Sequence, residues 1–129
     1  MNYPKSLKQI IVGMISFPSF FLIFGIYHGL MQVLFRAGIL KATEFLGINY
    51  YQGLTAHGVI NSILLTTFFA VAFGHILIFQ TMGRVQMVLA KISAVLMLLG
   101  ASFVLWAIFT GNASVLYTFY PPLKALSLA

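Results

Sequence analysis

The sequence contains no cysteine, which removes disulfides, thiolate metal sites and cysteine nucleophiles from consideration. Acidic residues are nearly as scarce: Glu44 is the only one among 129 residues, so acid–base chemistry on paired carboxylates is excluded. Charged residues of both signs make up 6% of the chain, where a soluble domain carries about 25% to cover its surface. With 61% hydrophobic residues and a mean hydropathy of +1.04, too little polar material remains to solvate a globule. The chain reads as an all-α integral membrane protein without a separate soluble domain, and nucleic-acid binding and soluble catalysis are excluded. Its net charge of +6 comes from seven scattered Lys and Arg residues rather than a basic stripe. In a membrane chain such residues chiefly fix orientation.

A spanning helix needs about 20 mostly apolar residues. Three stretches meet that requirement, at about 9–35, 53–79 and 87–109. Pro18 falls inside the first and is expected to kink it or be satisfied by neighbouring helices. The connection from Arg36 to Gln52 is expected to hold a short interfacial helix, and the one from Gln80 to Gln86 is a tight turn around Gly83 and Arg84. With the N-terminus cytoplasmic, Lys5, Lys8, Arg84 and Lys91 lie inside, and Arg36, Lys41 and Lys124 outside. That orientation also gathers Tyr50, Tyr51, Trp106, Tyr117 and Tyr120 at the outer interface as an aromatic belt. Ser62 and Thr66 lie opposite the other polar residues of the second span, which suggests that further helices enclose it. The chain therefore reads as the start of a larger helical bundle.

The remaining candidates for chemistry are His28, His57 and His75, each inside an expected span, where ionisable groups are costly and point to function. At about 100° per residue, Gly53, His57, Asn61, Leu64, Phe68 and His75 share one face of the second helix. Gly53, one turn before His57, leaves room for a flat macrocycle, and its carbonyl is placed to accept the imidazole Nδ1 proton. Nε2 then remains for metal. Leu64 and Phe68 supply an apolar wall, and haem iron suits such a face. The same residues are equally compatible with Gly53 ending a loop and His57 bonding across to a neighbouring helix. His75 stands about 27 Å further along at helical rise, too far to share a metal. It reads as a structural imidazole near the inner end. His28 and His57 lie within about 4–5 Å in depth if helices 1 and 2 are antiparallel, so a haem clamped between them is the reading in which the chain works alone. Gly25 with Gly29, and Ala70 with Gly74, read as small-residue packing contacts.

Two segments carry a resemblance. "YYQGLTAHGVINS", Tyr50 to Ser62, is similar to the start of the second helix of haem-copper oxidase subunit I, and "VLYTFYPPLK", Val115 to Lys124, to the segment after its third helix. Both resemble the B-type, ba3-like cytochrome c oxidases. The resemblance implies that His57, in "LTAHG", is an axial ligand of a low-spin haem of b or a type, with Gly53 and Asn61 shaping its face. It also implies that Tyr117 and Tyr120 lie near the haem propionates. It matches the N-in orientation and a multi-pass protein of a prokaryotic plasma membrane. The implied function is electron transfer to an oxygen-reducing, proton-pumping haem–copper centre, with cytochrome c as donor. The partners would be the remainder of subunit I, which supplies copper and the second haem, together with oxidase subunit II and lipid. On this reading residues 1–129 are an N-terminal fragment, inactive alone. A self-contained bis-histidine b-type haem anchor on His28 and His57, and a structural membrane protein without cofactor, remain the alternatives.

Overall fold

The computed structural model describes residues 3–41 and 44–113. Helix α1 (Lys5–Arg36) is followed by a two-residue strand pair, β1 (Glu44–Phe45) and β2 (Ile48–Asn49). Helix α2 (Tyr50–Gly58), a π turn (Val59–Leu64) and helix α3 (Leu65–Met82) then form one continuous crossing, and α4 (Met87–Phe109) completes the third. All three crossings are long and apolar enough to span a bilayer. Phe20, 71% exposed, and Phe73, 61% exposed, show the kind of surface that lipid or further helices cover.

The third crossing has the expected bounds, whereas the first two extend beyond their apolar runs by up to four residues at an end. The reason is that helix ends are set by backbone capping rather than by the last apolar residue. Helix α1 begins at Lys5 and runs unbroken through Pro18 to Arg36. Its buried residues Leu7, Ile11, Met14, Pro18, Gly25, His28 and Gln32 recur at intervals of three, four or seven, which draws one stripe along its length. That stripe packs on the second crossing through Ala56, Val59, Ile60, Leu64, Phe68 and Ala72, while α4 adds Ala101, Leu105 and Ile108.

The expected short interfacial helix between Arg36 and Gln52 is a β-hairpin instead, among the described residues. Glu44 pairs with Asn49 and Phe45 with Ile48. Leu46 and Gly47, at φ of 52° and 75°, supply the left-handed pair that a tight hairpin turn needs. The chain then enters α2 through a capping box. The Asn49 side chain accepts from the Gln52 backbone N–H at 2.8 Å, and the Gln52 Oε1 accepts from the Asn49 N–H at 3.0 Å. Gln52 also reaches α4. Its amide donates to the carbonyls of Ile108 at 3.1 Å and Phe109 at 3.4 Å at the end of that helix, where the Ile108 carbonyl also accepts from the Gly111 N–H at 3.0 Å.

The π turn was not visible in the residue pattern. It begins two residues after His57 and carries Asn61 and Ser62. The hydroxyls of Thr66 and Thr67 donate back to the carbonyls of Ser62 and Ile63, satisfying oxygens on the exposed side of this widened turn. The polarity of Thr66 is therefore met within its own helix and does not by itself call for a neighbour.

Candidate functional site: the seam between the first two crossings

The first and second crossings approach so closely that each places a histidine on a bare glycine of the other. A Cβ added at Gly29 of α1 would lie 2.5 Å from both Cε1 and Nδ1 of His57. In the reverse direction, a Cβ at Gly53 of α2 would lie 2.7 Å from Nδ1 of His28. Gly25, one turn before Gly29, meets Asn61 and Ile60 in the same way. Gly25 and Gly29 thus do make the expected small-residue packing contact, but what they pack on is the candidate ligand itself.

His57 is half-buried, and its Nδ1 lies 2.8 Å from the backbone carbonyl of Gly25. A carbonyl only accepts, so Nδ1 carries the proton and donates it there. The sequence-based expectation that the Gly53 carbonyl fills this role is corrected. The acceptor comes from the opposite helix, because the ring turns toward the seam rather than along its own helix. The room left by Gly53 is likewise taken by His28 rather than kept for a macrocycle. Among the described residues, His57 makes its hydrogen-bond contacts through Nδ1 and none through Nε2. Asn61 is brought to the site, its amide 3.0 Å from Nδ1. Leu64 and Phe68 face the helix core, buried against α1 and α4, instead of walling a pocket beside His57.

His28 is 1% exposed, packed between Gly53 and Phe24, whose ring centroid is 4.3 Å away. Its Nε2 is buried without a hydrogen-bond partner among the described residues. A haem clamped between His28 and His57 has no space, because the helices carrying them touch through their glycines. His75 donates from Nδ1 to the carbonyl of Val71 at 2.7 Å, a bond within its own helix. It lines a groove of about 700 Å³ with Arg84, Gln86 and Ser93 near the turn between the second and third crossings. Tyr117 and Tyr120 lie outside the described residues.

Among the described residues, no three histidine, cysteine or acidic side chains converge on a common point. The seam offers one imidazole with its Nδ1 committed and its Nε2 uncommitted. Such a donor suits a metal that brings its own equatorial ligands, as haem iron does, and not one that needs several protein ligands. The donor set fits haem.

The residues missed from sequence were Gly25 as hydrogen-bond acceptor, Gly29 as ring support and Gln52 as a two-helix clamp. The depth argument compared only His28 with His57 and gave Gly25 and Gly29 no part in holding the ring. What it lacked was facing.

Comparison with known proteins gives the family. Residues 9–129 match the family described as Cytochrome C and Quinol oxidase polypeptide I. The chain is 42% identical over 77 residues to cytochrome c oxidase subunit 1 of Thermus thermophilus, a match covering 59% of this chain and 14% of that protein. It superposes with a TM-score of 0.88 and 49% identity on a chain of a heme-copper terminal oxidase dimer solved by cryo-electron microscopy, covering 94% of this chain and 21% of that one. The chain thus spans about a fifth or less of the length of these relatives. On the family match and the shared arrangement of three crossings, this chain belongs to the cytochrome c and quinol oxidase polypeptide I family and is part of a haem-copper oxidase subunit I.

Proposed function

We propose that this segment supplies one axial ligand of a low-spin haem in a haem-copper oxidase, His57 binding the iron through Nε2. The observation that carries the proposal is the commitment of the His57 Nδ1 proton to the Gly25 carbonyl at 2.8 Å. That bond fixes the tautomer, leaving the Nε2 lone pair free for a metal, and it fixes the plane of the ring. Gly29 admits the imidazole against the backbone of α1, so the ring is held on one side by packing and at one edge by a hydrogen bond. Haem, when bound, supplies one-electron transfer between cytochrome c and an oxygen-reducing haem–copper centre held by the remainder of subunit I. Oxidase subunit II, lipid and the second axial histidine belong to the assembled complex in a prokaryotic plasma membrane. Proton pumping belongs to that whole, and residues 1–129 do not reduce oxygen by themselves.

The test uses the complete subunit in its oxidase. His57→Ala removes the donor without adding bulk, and the reduced-minus-oxidised spectrum is expected to lose its low-spin haem band. The His28→Ala protein retains that band. Retention of the band in the His57→Ala protein refutes the assignment.

A further inference from the structure

We infer that Asn61, held by the π turn, is a positioning residue that shares the Nδ1 proton of His57 with the Gly25 carbonyl and so lowers the reduction potential of the haem on His57. The inference rests on the reading of His57 as an axial ligand and goes one step beyond it.

Three features of the seam support the assignment. The Asn61 amide lies 3.0 Å from the same Nδ1 that donates to Gly25. As placed, the amide nitrogen faces the ring, so two donors oppose each other, and the amide oxygen is buried on the far side without a donor among the described residues. Turning the amide over removes the donor–donor opposition and moves the NH₂ to the buried far side, and the oxygen then accepts the Nδ1 proton jointly with Gly25. The amide is also confined: a side chain at Gly25 would collide with Asn61, so α1 is bare where Asn61 sits. Finally, Asn61 belongs to the π turn that begins two residues after His57. Such widened turns inside α-helices are frequent at functional sites.

Two acceptors on one N–H draw electron density into the ring and make Nε2 a stronger donor. A stronger axial donor favours the ferric over the ferrous state, which lowers the potential. The redox couple adds one electron to the iron, and the Nδ1 proton stays between its two acceptors in both states.

The experiment is a spectroelectrochemical titration of the low-spin haem in the assembled oxidase, with electrons supplied from an electrode through mediators. Asn61→Leu, similar in size but without an acceptor, is expected to shift the equilibrium about tenfold toward the reduced haem, about 59 mV upward for one electron. The ferric electron paramagnetic resonance spectrum should show a larger g anisotropy, the signature of an imidazole with less imidazolate character. Asn61→Thr, whose hydroxyl back-bonds to its own helix, gives the same two readings if the leucine protein does not assemble. Absence of either shift overturns the inference. If His57→Ala keeps its low-spin haem, the ligand assignment fails. If that haem is lost but the Asn61 variants leave potential and g values unchanged, only the role of Asn61 fails.

Discussion

Gly29→Ala in the complete subunit is expected to lose most of its low-spin haem and to unfold more readily than the parent protein. Two effects oppose each other at this position. In a helix, alanine is more favourable than glycine by about 1 kcal/mol. Against that, the new methyl would lie 2.5 Å from two atoms of the His57 ring, closer than side chains tolerate. Overpacking of this kind costs about 1–3 kcal/mol. The neighbour that must yield is not a flexible chain end but an imidazole already tied to Gly25 and Asn61. If the ring swings away, the bond to Gly25 goes with it, at about 1 kcal/mol more, and Nε2 no longer points where it did. If the ring holds, the two crossings separate. Collision therefore outweighs propensity in either case. Gly13→Ala is the contrast within the same helix, because a Cβ there meets nothing within 4 Å. It is expected to keep the haem and to gain up to about 1 kcal/mol. Haem spectra and thermal unfolding of the two purified complexes decide the matter. Equal haem content in both would mean that Gly29 does not support the ring.

This contrast also separates what could be read in the residues from what could not. Three crossings follow from hydropathy, because lipid leaves no other way to satisfy a backbone. The region of the site was legible too, since His57 falls in a run with Gly53 and Asn61, and "YYQGLTAHGVINS" resembles one segment of one family. Facing was not legible. Helical periodicity puts His57 and Asn61 on one face but says nothing about which helix meets that face. The Gly25 carbonyl and the bare surface at Gly29 belong to a stretch that resembles the family only in hydropathy. The depth of His28 suggested a partner for His57 across a haem, whereas its packing under Gly53 makes it part of the seam that shuts such a haem out. The π turn is a change of hydrogen-bond register inside an apolar run, and no residue type in "VINSIL" announces it. The hairpin was legible in principle from Leu46-Gly47, but a charged, aromatic connection reads equally well as an interfacial helix.

Gln52→Leu is expected to destabilise the same bundle by about 2–4 kcal/mol while leaving the haem spectrum in place. The side chain is 5% exposed and bonds three backbone groups in two pieces of chain. Its oxygen accepts from the Asn49 N–H, and its amide donates to the last carbonyls of α4. Leucine of similar volume fills the space but leaves the Asn49 N–H and the Phe109 carbonyl without this partner, at about 1–3 kcal/mol for each one that stays dry, while the Ile108 carbonyl keeps the Gly111 N–H. Hydrogen bonds between membrane helices average nearer 0.6 kcal/mol when both partners are counted, which argues against the top of the summed range. Asn49→Ala divides the effect. It removes the side-chain acceptor of the capping box, worth about 1 kcal/mol, but keeps the tie from Gln52 to α4. Each variant breaks one half of the capping box, so with the halves taken as equal the difference between the two variants is the contribution of that tie. It is expected to appear as faster hydrogen exchange near Ile108 and Phe109 in the Gln52→Leu protein alone. His57 stays seated in both, because its supports, Gly25 and Gly29, come from α1 and not from the clamp. Equal destabilisation by the two variants, with unchanged exchange at the end of α4, would show that Gln52 acts only as a helix cap and that the third crossing is held to the seam by apolar packing alone.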